Sequence, residues 1–376
     1  MRSISIDPQT VKPGDYFIPL SKGQSEYKDH INQAVQNGGI ILDVDLLPYT
    51  KKYRKKLTSQ IVIIVGAIGK TTLKQLLFNI LSRALHVVTI NDTLPNEIGI
   101  PLTLLTADAL TDVILIELAV NDKKELAQWI KFVRPTHIII TGGALTVDGT
   151  ALKDNALLYS QLFHRPLNWE ASVRHLYVNY NMPFYSLLNK KAVDKGYKLY
   201  PYSGEDKPDE TLNLCYILGR HFSFSELDIQ KGIQTYVPTN HRLVSMQVGP
   251  YMIIDDTYSV ALDSLFYALH YLKRYSARKL LVLESVSGMD YDASASCSQL
   301  INEMFDASIS IVFTLDFNLK QLNVQALPIY CFSSLDQLYH LLTLELKLDD
   351  ILLIKGSKLI QINSCVDAIK TYVDTH

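Results

Sequence analysis

Five apolar residues, Ile61–Val65, run straight into Gly66-Ala67-Ile68-Gly69-Lys70-Thr71-Thr72, and a helix-period pattern follows, with Leu73, Leu76, Leu77, Ile80 and Leu81 on one face. A buried strand that turns through glycines onto a helix start aims backbone N–H groups and the positive end of the helix dipole outward, where phosphate oxygens suit them. In that geometry Gly66 and Gly69 shape the turn and Lys70 reaches the outer phosphates. The Thr71 hydroxyl is a ligand for Mg2+, and Thr72 closes the loop. The spacing is the shorter GxxGK[ST] form, because Ile64 stands where the longer form has a further glycine. Glu117 ends the run Val113–Glu117 on the edge of the sheet where ligands bind in such folds, which makes it the natural second anchor for Mg2+.

The segments around this loop predict a three-part α/β chain. Residues 1–59 form a small module with strands at Ser3–Asp7, Tyr16–Leu20 and Ile40–Val44 and a helix over Lys28–Asn37. Its lysine-rich tail, Lys51–Lys56, reads as a solvated linker. Residues 60–237 form a central domain: strands Val87–Ile90, Val113–Glu117 and His137–Thr141 alternate with amphipathic helices such as Lys123–Val133, which argues for a mostly parallel sheet covered on both faces. Ser223-Phe224-Ser225-Glu226 has capping-box spacing ahead of a helix to Tyr236. Residues 238–376 form a Rossmann-like domain, with a hairpin (Arg242–Val248 and Tyr251–Asp255), helices Asp263–Tyr275, Ser334–Leu346 and Ser364–Tyr372, and strands Lys279–Glu284, Ile309–Thr314 and Ile351–Lys355. It has no G-x-G-x-x-G, so no dinucleotide is expected there.

Composition narrows the class. With 48% apolar and 20% charged residues each domain can bury a core, and a net charge of -2 gives no case for nucleic acid or an anionic membrane. No signal segment or membrane-length apolar run is visible, so a cytoplasmic protein is expected; it is further expected to be a monomer and to act on small molecules. The four cysteines are far apart and predict reduced, mostly buried thiols. The ten histidines form no HxxxH or HxH pair, so no zinc site is expected.

Several further strings, in order, resemble the Mur ligases, and among them the branch that adds D-alanyl-D-alanine to UDP-N-acetylmuramoyl-tripeptide. Asp7–Leu20 (DPQTVKPGDYFIPL) is similar to that branch's uridine-binding module. Asn96–Leu105 (NEIGIPLTLL) is close to its N-E-I-G-x-P-L-T-L-L, and Ile116–Asn121 (IELAVN) resembles its next strand end. Arg134–Thr141, His241-Arg242-Leu243, Ile254–Tyr258 (IDDTY) and Leu353–Ser357 (LIKGS) follow in the family's order. The resemblance implies an ATP-dependent amide ligation: ATP phosphorylates a carboxylate to an acyl phosphate, and the amine of the dipeptide expels phosphate. It implies Lys70, Glu117 and Asn96 as catalytic residues, ATP held by Gly66, Gly69, Lys70, Thr71, Thr72, Arg242 and Asp256, and Lys355 and Ser357 near the incoming amine.

The same comparison exposes substitutions. Thr146 stands where the family has a histidine on a second metal, and Tyr159 where it has a modified lysine. Tyr258–Leu262 (YSVAL) replaces Y-N-A-N-P, Ile68 replaces Asn or Ser, Gln9 replaces a uridine-side arginine, and the stretch from Asn179 to Asn213 is short. Two readings follow. The chain is a minimal ligase using one Mg2+, or it is a Mur-shaped pseudoenzyme that binds nucleotide or a partner without ligating. A phosphate-loop ATPase or GTPase of another kind explains the loop but neither the Asp7–Leu20 nor the Lys355–Ser357 string.

Overall fold

The computed structural model describes residues 4–20, 25–66, 69–89, 94–118, 123–142, 158–163, 174–203, 210–237, 242–258, 260–286, 289, 294–321, 327–356, 367 and 369–371. These fall into two compact units, the first reaching to Tyr236 and the second beginning at Val237. The first unit holds two sheets, so the structure has three sheets in all among the described residues.

The small sheet is three two-residue strands, β1 (Ile4–Ser5), β2 (Tyr16–Phe17) and β3 (Ile40–Ile41), paired in parallel in that order. They are shorter than the sequence pattern suggests, because only Phe17 of this set is fully buried and the flanking residues turn away into loops. The helix Tyr27–Gln36 closes one side, its Ala34 packing with Val11 and Phe17. Lys51–Lys56 is not a linker: Leu46–Arg54 is a helix whose Leu46 and Tyr53 pack with Ile18, Leu102 and Leu105. Its Arg54 donates from Nε to the carbonyl of Val133 at 2.6 Å, from Nη2 to Arg134 at 2.9 Å and from Nη1 to Leu57 at 3.1 Å. The guanidinium therefore caps the carbonyl end of the helix Lys123–Val133, where the helix dipole favours a cation.

The large sheet of the first unit has six parallel strands in the order β5-β6-β4-β7-β8-β9. They are β4 (Gln60–Gly66), β5 (Val87–Val88), β6 (Val113–Glu117), β7 (His137–Thr141), β8 (Arg174–Asn179) and β9 (Tyr197–Tyr202). Alternate side chains of β4 enter opposite cores. Ile61, Ile63 and Val65 pack under the helices Asn96–Thr106, Lys123–Val133 and Tyr185–Asp194. Val62 and Ile64 pack under Lys70–Leu81, Glu210–His221 and Glu226–Gln234. A strand covered on both sides must be apolar throughout, which is why Ile61–Val65 shows no alternation. The last of these helices is capped not by Ser223 but by Ser225, whose Oγ accepts the Asp228 N–H at 3.2 Å. Ser223 takes a left-handed φ of 65° in the preceding turn.

The second unit is a six-stranded sheet ordered β10-β11-β15-β12-β13-β14: β10 (Val244–Val248), β11 (Tyr251–Asp256), β12 (Lys279–Leu283), β13 (Ile309–Thr314), β14 (Ile329–Cys331) and β15 (Ile351–Lys355). Only the expected hairpin β10–β11 is antiparallel. The helices Leu262–Leu272, Ser294–Asp306 and Leu335–Glu345 lie against it. Most of the expected closing helix Ser364–Tyr372 lies outside the described residues. Cys215 and Cys297 are buried, Cys331 is half-buried, and none of the three is in a disulfide. No helix among the described residues is long and apolar enough to cross a membrane.

Candidate active site

β4 ends at Gly66, and the helix Lys70–Leu81 starts four residues later. Gly66 has φ 139°, and a Cβ there would sit 2.0 Å from the Thr141 carbonyl oxygen and 2.4 Å from its hydroxyl. No side chain larger than hydrogen fits, so the loop leaves the sheet flush against β7. Gly69 is the helix N-cap, left-handed at φ 81°, with no side chain capping the helix start. An uncapped first turn leaves its N–H groups to bind an anion. Ala67 and Ile68 lie outside the described residues.

Lys70 opens the helix, and its Nζ donates to the Gly66 carbonyl at 2.7 Å, folding the ammonium back over the loop. Thr71 is buried, and its hydroxyl donates to Glu117 Oε2 at 2.7 Å. Register makes that contact possible: Glu117, the last residue of β6, pairs with Ile64 of β4, and the Leu118 N–H continues onto the Ile64 carbonyl at 2.9 Å. Cis oxygens around an octahedral Mg2+ with bonds of 2.0–2.1 Å lie about 2.9 Å apart. A hydroxyl and a carboxylate oxygen 2.7 Å apart therefore already stand nearly at the spacing of two such ligands. The donor set is all oxygen, which suits that cation. Thr72 follows in the first turn, half-buried.

Asn96 is the first residue of its helix, reached from the C-terminal end of β5, and so belongs to the same sheet edge as Gly66 and Glu117. Its Nδ2 donates to Glu125 Oε1 at 2.8 Å, and the Trp129 indole donates to the same oxygen at 3.3 Å. Nothing in the sequence pattern points to Glu125. It is identified only once the starts of two helices are brought to one edge.

Four of the remaining expected residues belong to the second unit. Asp256 ends β11 and Lys355 ends β15, and the two are register partners. Lys355 is fully buried, with Nζ 2.6 Å from Asp256 Oδ2 and 2.7 Å from Ser264 Oγ. Burial pushes Lys355 down and Asp256 up, and each charge partly restores the other. Lys355 thus stands inside the domain as the counter-ion of Asp256. The Arg242 guanidinium lies over the Tyr258 ring, 3.6 Å from its centroid. Ser357 falls outside the described residues, as does Thr146. Tyr159 is buried in the core, stacked on Phe184 with ring centroids 5.5 Å apart, so that position is filled by packing.

Residues 64–144 match the Mur ligase middle domain. The chain is similar to the UDP-N-acetylmuramoyl-tripeptide--D-alanyl-D-alanine ligase of Haemophilus influenzae, at 24% identity over 75% of this chain and 73% of that one. Its fold is similar to that of the MurF ligase from Thermotoga maritima in complex with ADP, with TM-score 0.77, 15% identity and coverage of 100% of this chain and 98% of that one. It is also similar to that of MurF from Acinetobacter baumannii, with TM-score 0.78, 17% identity and coverage of 98% and 93%.

Proposed function

We propose that this chain is an ATP-dependent amide ligase of peptidoglycan precursor synthesis, joining D-alanyl-D-alanine to UDP-N-acetylmuramoyl-tripeptide through an acyl phosphate. The observation that carries the reading is the 2.7 Å contact between Thr71 and Glu117 at the mouth of a glycine turn built for phosphate. On this reading residues 1–59 take the uridine end of the substrate, 60–237 hold ATP, and 238–376 complete the ligase, acting as a monomer in the cytoplasm.

Lys70 releases the Gly66 carbonyl and turns onto the outer phosphates, where its charge stabilises the phosphoryl group in flight. The first-turn N–H groups hold the phosphates in line, which lowers the entropic part of the barrier. Thr71 and Glu117 are the residues that would hold Mg2+, which supplies charge neutralisation on the phosphate oxygens when bound. Asn96, fixed by Glu125, positions the edge of the site. The substrate carboxylate attacks the γ-phosphorus and ADP leaves. The dipeptide amine then attacks the acyl carbon, and inorganic phosphate leaves with the bond pair.

One observation favours the second reading, a Mur-shaped pseudoenzyme that binds nucleotide or a partner. Tyr159 fills with core packing the position where the family resemblance places a modified lysine. The decisive assay mixes the protein with ATP, Mg2+, UDP-muramoyl tripeptide and D-alanyl-D-alanine. The ligase releases phosphate only when both substrates are present. ATP binding that is lost in Lys70→Ala, without any turnover, supports the pseudoenzyme, and release with neither substrate supports a simple ATPase.

A further inference from the structure

His137 begins β7, His175 is the second residue of β8, and the two are register partners on one face of the sheet. His221 ends the helix Glu210–His221, which lies over that face. The three imidazoles meet, with ring centroids 4.6 Å apart for His137 and His175, 4.9 Å for His137 and His221, and 4.3 Å for His175 and His221. One ligand nitrogen from each lies within 4.8 Å of the others. Gly66 pairs with Thr141 at the far end of β7, about 13 Å away along the strand, so this cluster occupies the opposite edge of the sheet from the phosphate loop.

We propose that His137, His175 and His221 form a binding site for a borderline transition-metal ion of the zinc class, separate from the phosphate loop. Three features of the cluster support it. His137 is buried, yet its Nε2 has no hydrogen-bond partner, a state that native interiors rarely leave uncompensated. Thr136 Oγ1 accepts the Ile61 N–H at 2.9 Å and lies 3.1 Å from the Ile61 carbonyl and 2.9 Å from His137 Nδ1; in the tautomer in which the hydroxyl donates to the carbonyl, the His137 Nδ1–H donates to Oγ1 and the lone pair resides on Nε2. His175 is tied in the same way, with Nδ1 3.1 Å from the Tyr200 hydroxyl. Metal-ligating imidazoles are characteristically held by such a bond from the nitrogen that does not ligate.

Burial also keeps the rings neutral, as a ligand must be, lowering His137 to about 3 and His175 to about 4. The donor set of imidazoles alone suits zinc, nickel or copper and not Mg2+. Zinc ligands at 2.0–2.1 Å lie about 3.3 Å apart, so each nitrogen moves inward by about 1 Å, and His137 and His175, stacked within 17° of parallel, tilt toward each other to aim both lone pairs at one ion. His175 and His221 are half-buried, which opens a path from solvent and leaves a coordination position for water. The end of a helix at His221 favours a cation, whereas Lys198, whose charge acts on both His175 and His221, opposes one.

The test uses full-length, nucleotide-free protein carrying no polyhistidine tag, titrated with ZnCl2 by calorimetry and with CoCl2 by visible absorption. One equivalent of Zn2+ should bind with a Kd of roughly 1 μM or below, and Co2+ should give the intense visible band of a low-coordinate nitrogen site. His175→Gln and His221→Gln, both at half-buried positions, should each weaken Zn2+ binding by about 100-fold or more while the far-ultraviolet circular dichroism is unchanged. Glu117→Gln should leave the zinc isotherm as it was. Absence of stoichiometric Zn2+ binding overturns the proposal, as does binding that both histidine variants retain.

Discussion

Lys355→Met separates a structural lysine from one that waits for a substrate. In the folded domain the Lys355 ammonium is fully buried, 2.6 Å from Asp256 and 2.7 Å from Ser264. Both charges are desolvated, so the attraction between them mainly offsets the cost of taking each out of water. Methionine removes the ammonium and strands the Asp256 carboxylate, 6% exposed, without its principal counter-ion. Breaking such a pair costs about 3–5 kcal/mol. For a domain the size of the second unit that is a fall in Tm of roughly 10–20 °C. Adding Asp256→Leu removes the stranded charge and keeps the volume, and the double variant should return to within about 1 kcal/mol of the parent. The coupling is read by urea unfolding of the four corners of the cycle, with amide exchange of β11 and β15 assigning the transition to the second unit. If Lys355→Met costs less than about 1 kcal/mol, or the double variant is no more stable than the single, the buried-pair account fails and the lysine is available to a ligand.

Two further outcomes follow from the first unit. Gly66→Ala places a methyl 2.0 Å from the Thr141 carbonyl at a φ of 139°, so it should destabilise by about 3 kcal/mol or more and weaken ATP binding, measured by thermal melt and nucleotide titration on the same preparation. Arg54→Lys keeps the charge but cannot reach the carbonyls of Leu57, Val133 and Arg134 together. The loss of two charge-assisted bonds should cost about 3 kcal/mol in urea unfolding, with no change in the affinity for ATP.

Much of the candidate phosphate site was legible because its parts are local. Gly66, Gly69, Lys70 and Thr71 fall within one strand–turn–helix, and Glu117 ends the strand that pairs beside it. Helix limits were less legible where tertiary packing overrode the local signal. Asn96–Thr106 is helical although it carries Gly99 and Pro101, because Ile100, Leu102, Leu104 and Leu105 are all buried. The run Lys51–Lys56 looks like a linker for the opposite reason. Its charges dominate the pattern, while the side chains that anchor the helix, Leu46, Tyr53 and Arg54, are interleaved with them or precede them.

By itself the sequence determined which strands are covered on both faces, where the chain turns through glycine onto a helix start, and the order in which strands and helices alternate. Those properties depend on neighbours a few residues apart, within reach of periodicity and turn chemistry. Tertiary structure alone decided that Arg54 caps a helix beginning at Lys123, that Lys355 serves Asp256, and that His137, His175 and His221 come together in one cluster. Each of those meetings joins residues dozens of positions apart through strand register and helix placement. A spacing rule such as HxxxH cannot register them, because parallel crossover connections set which distant residues become neighbours.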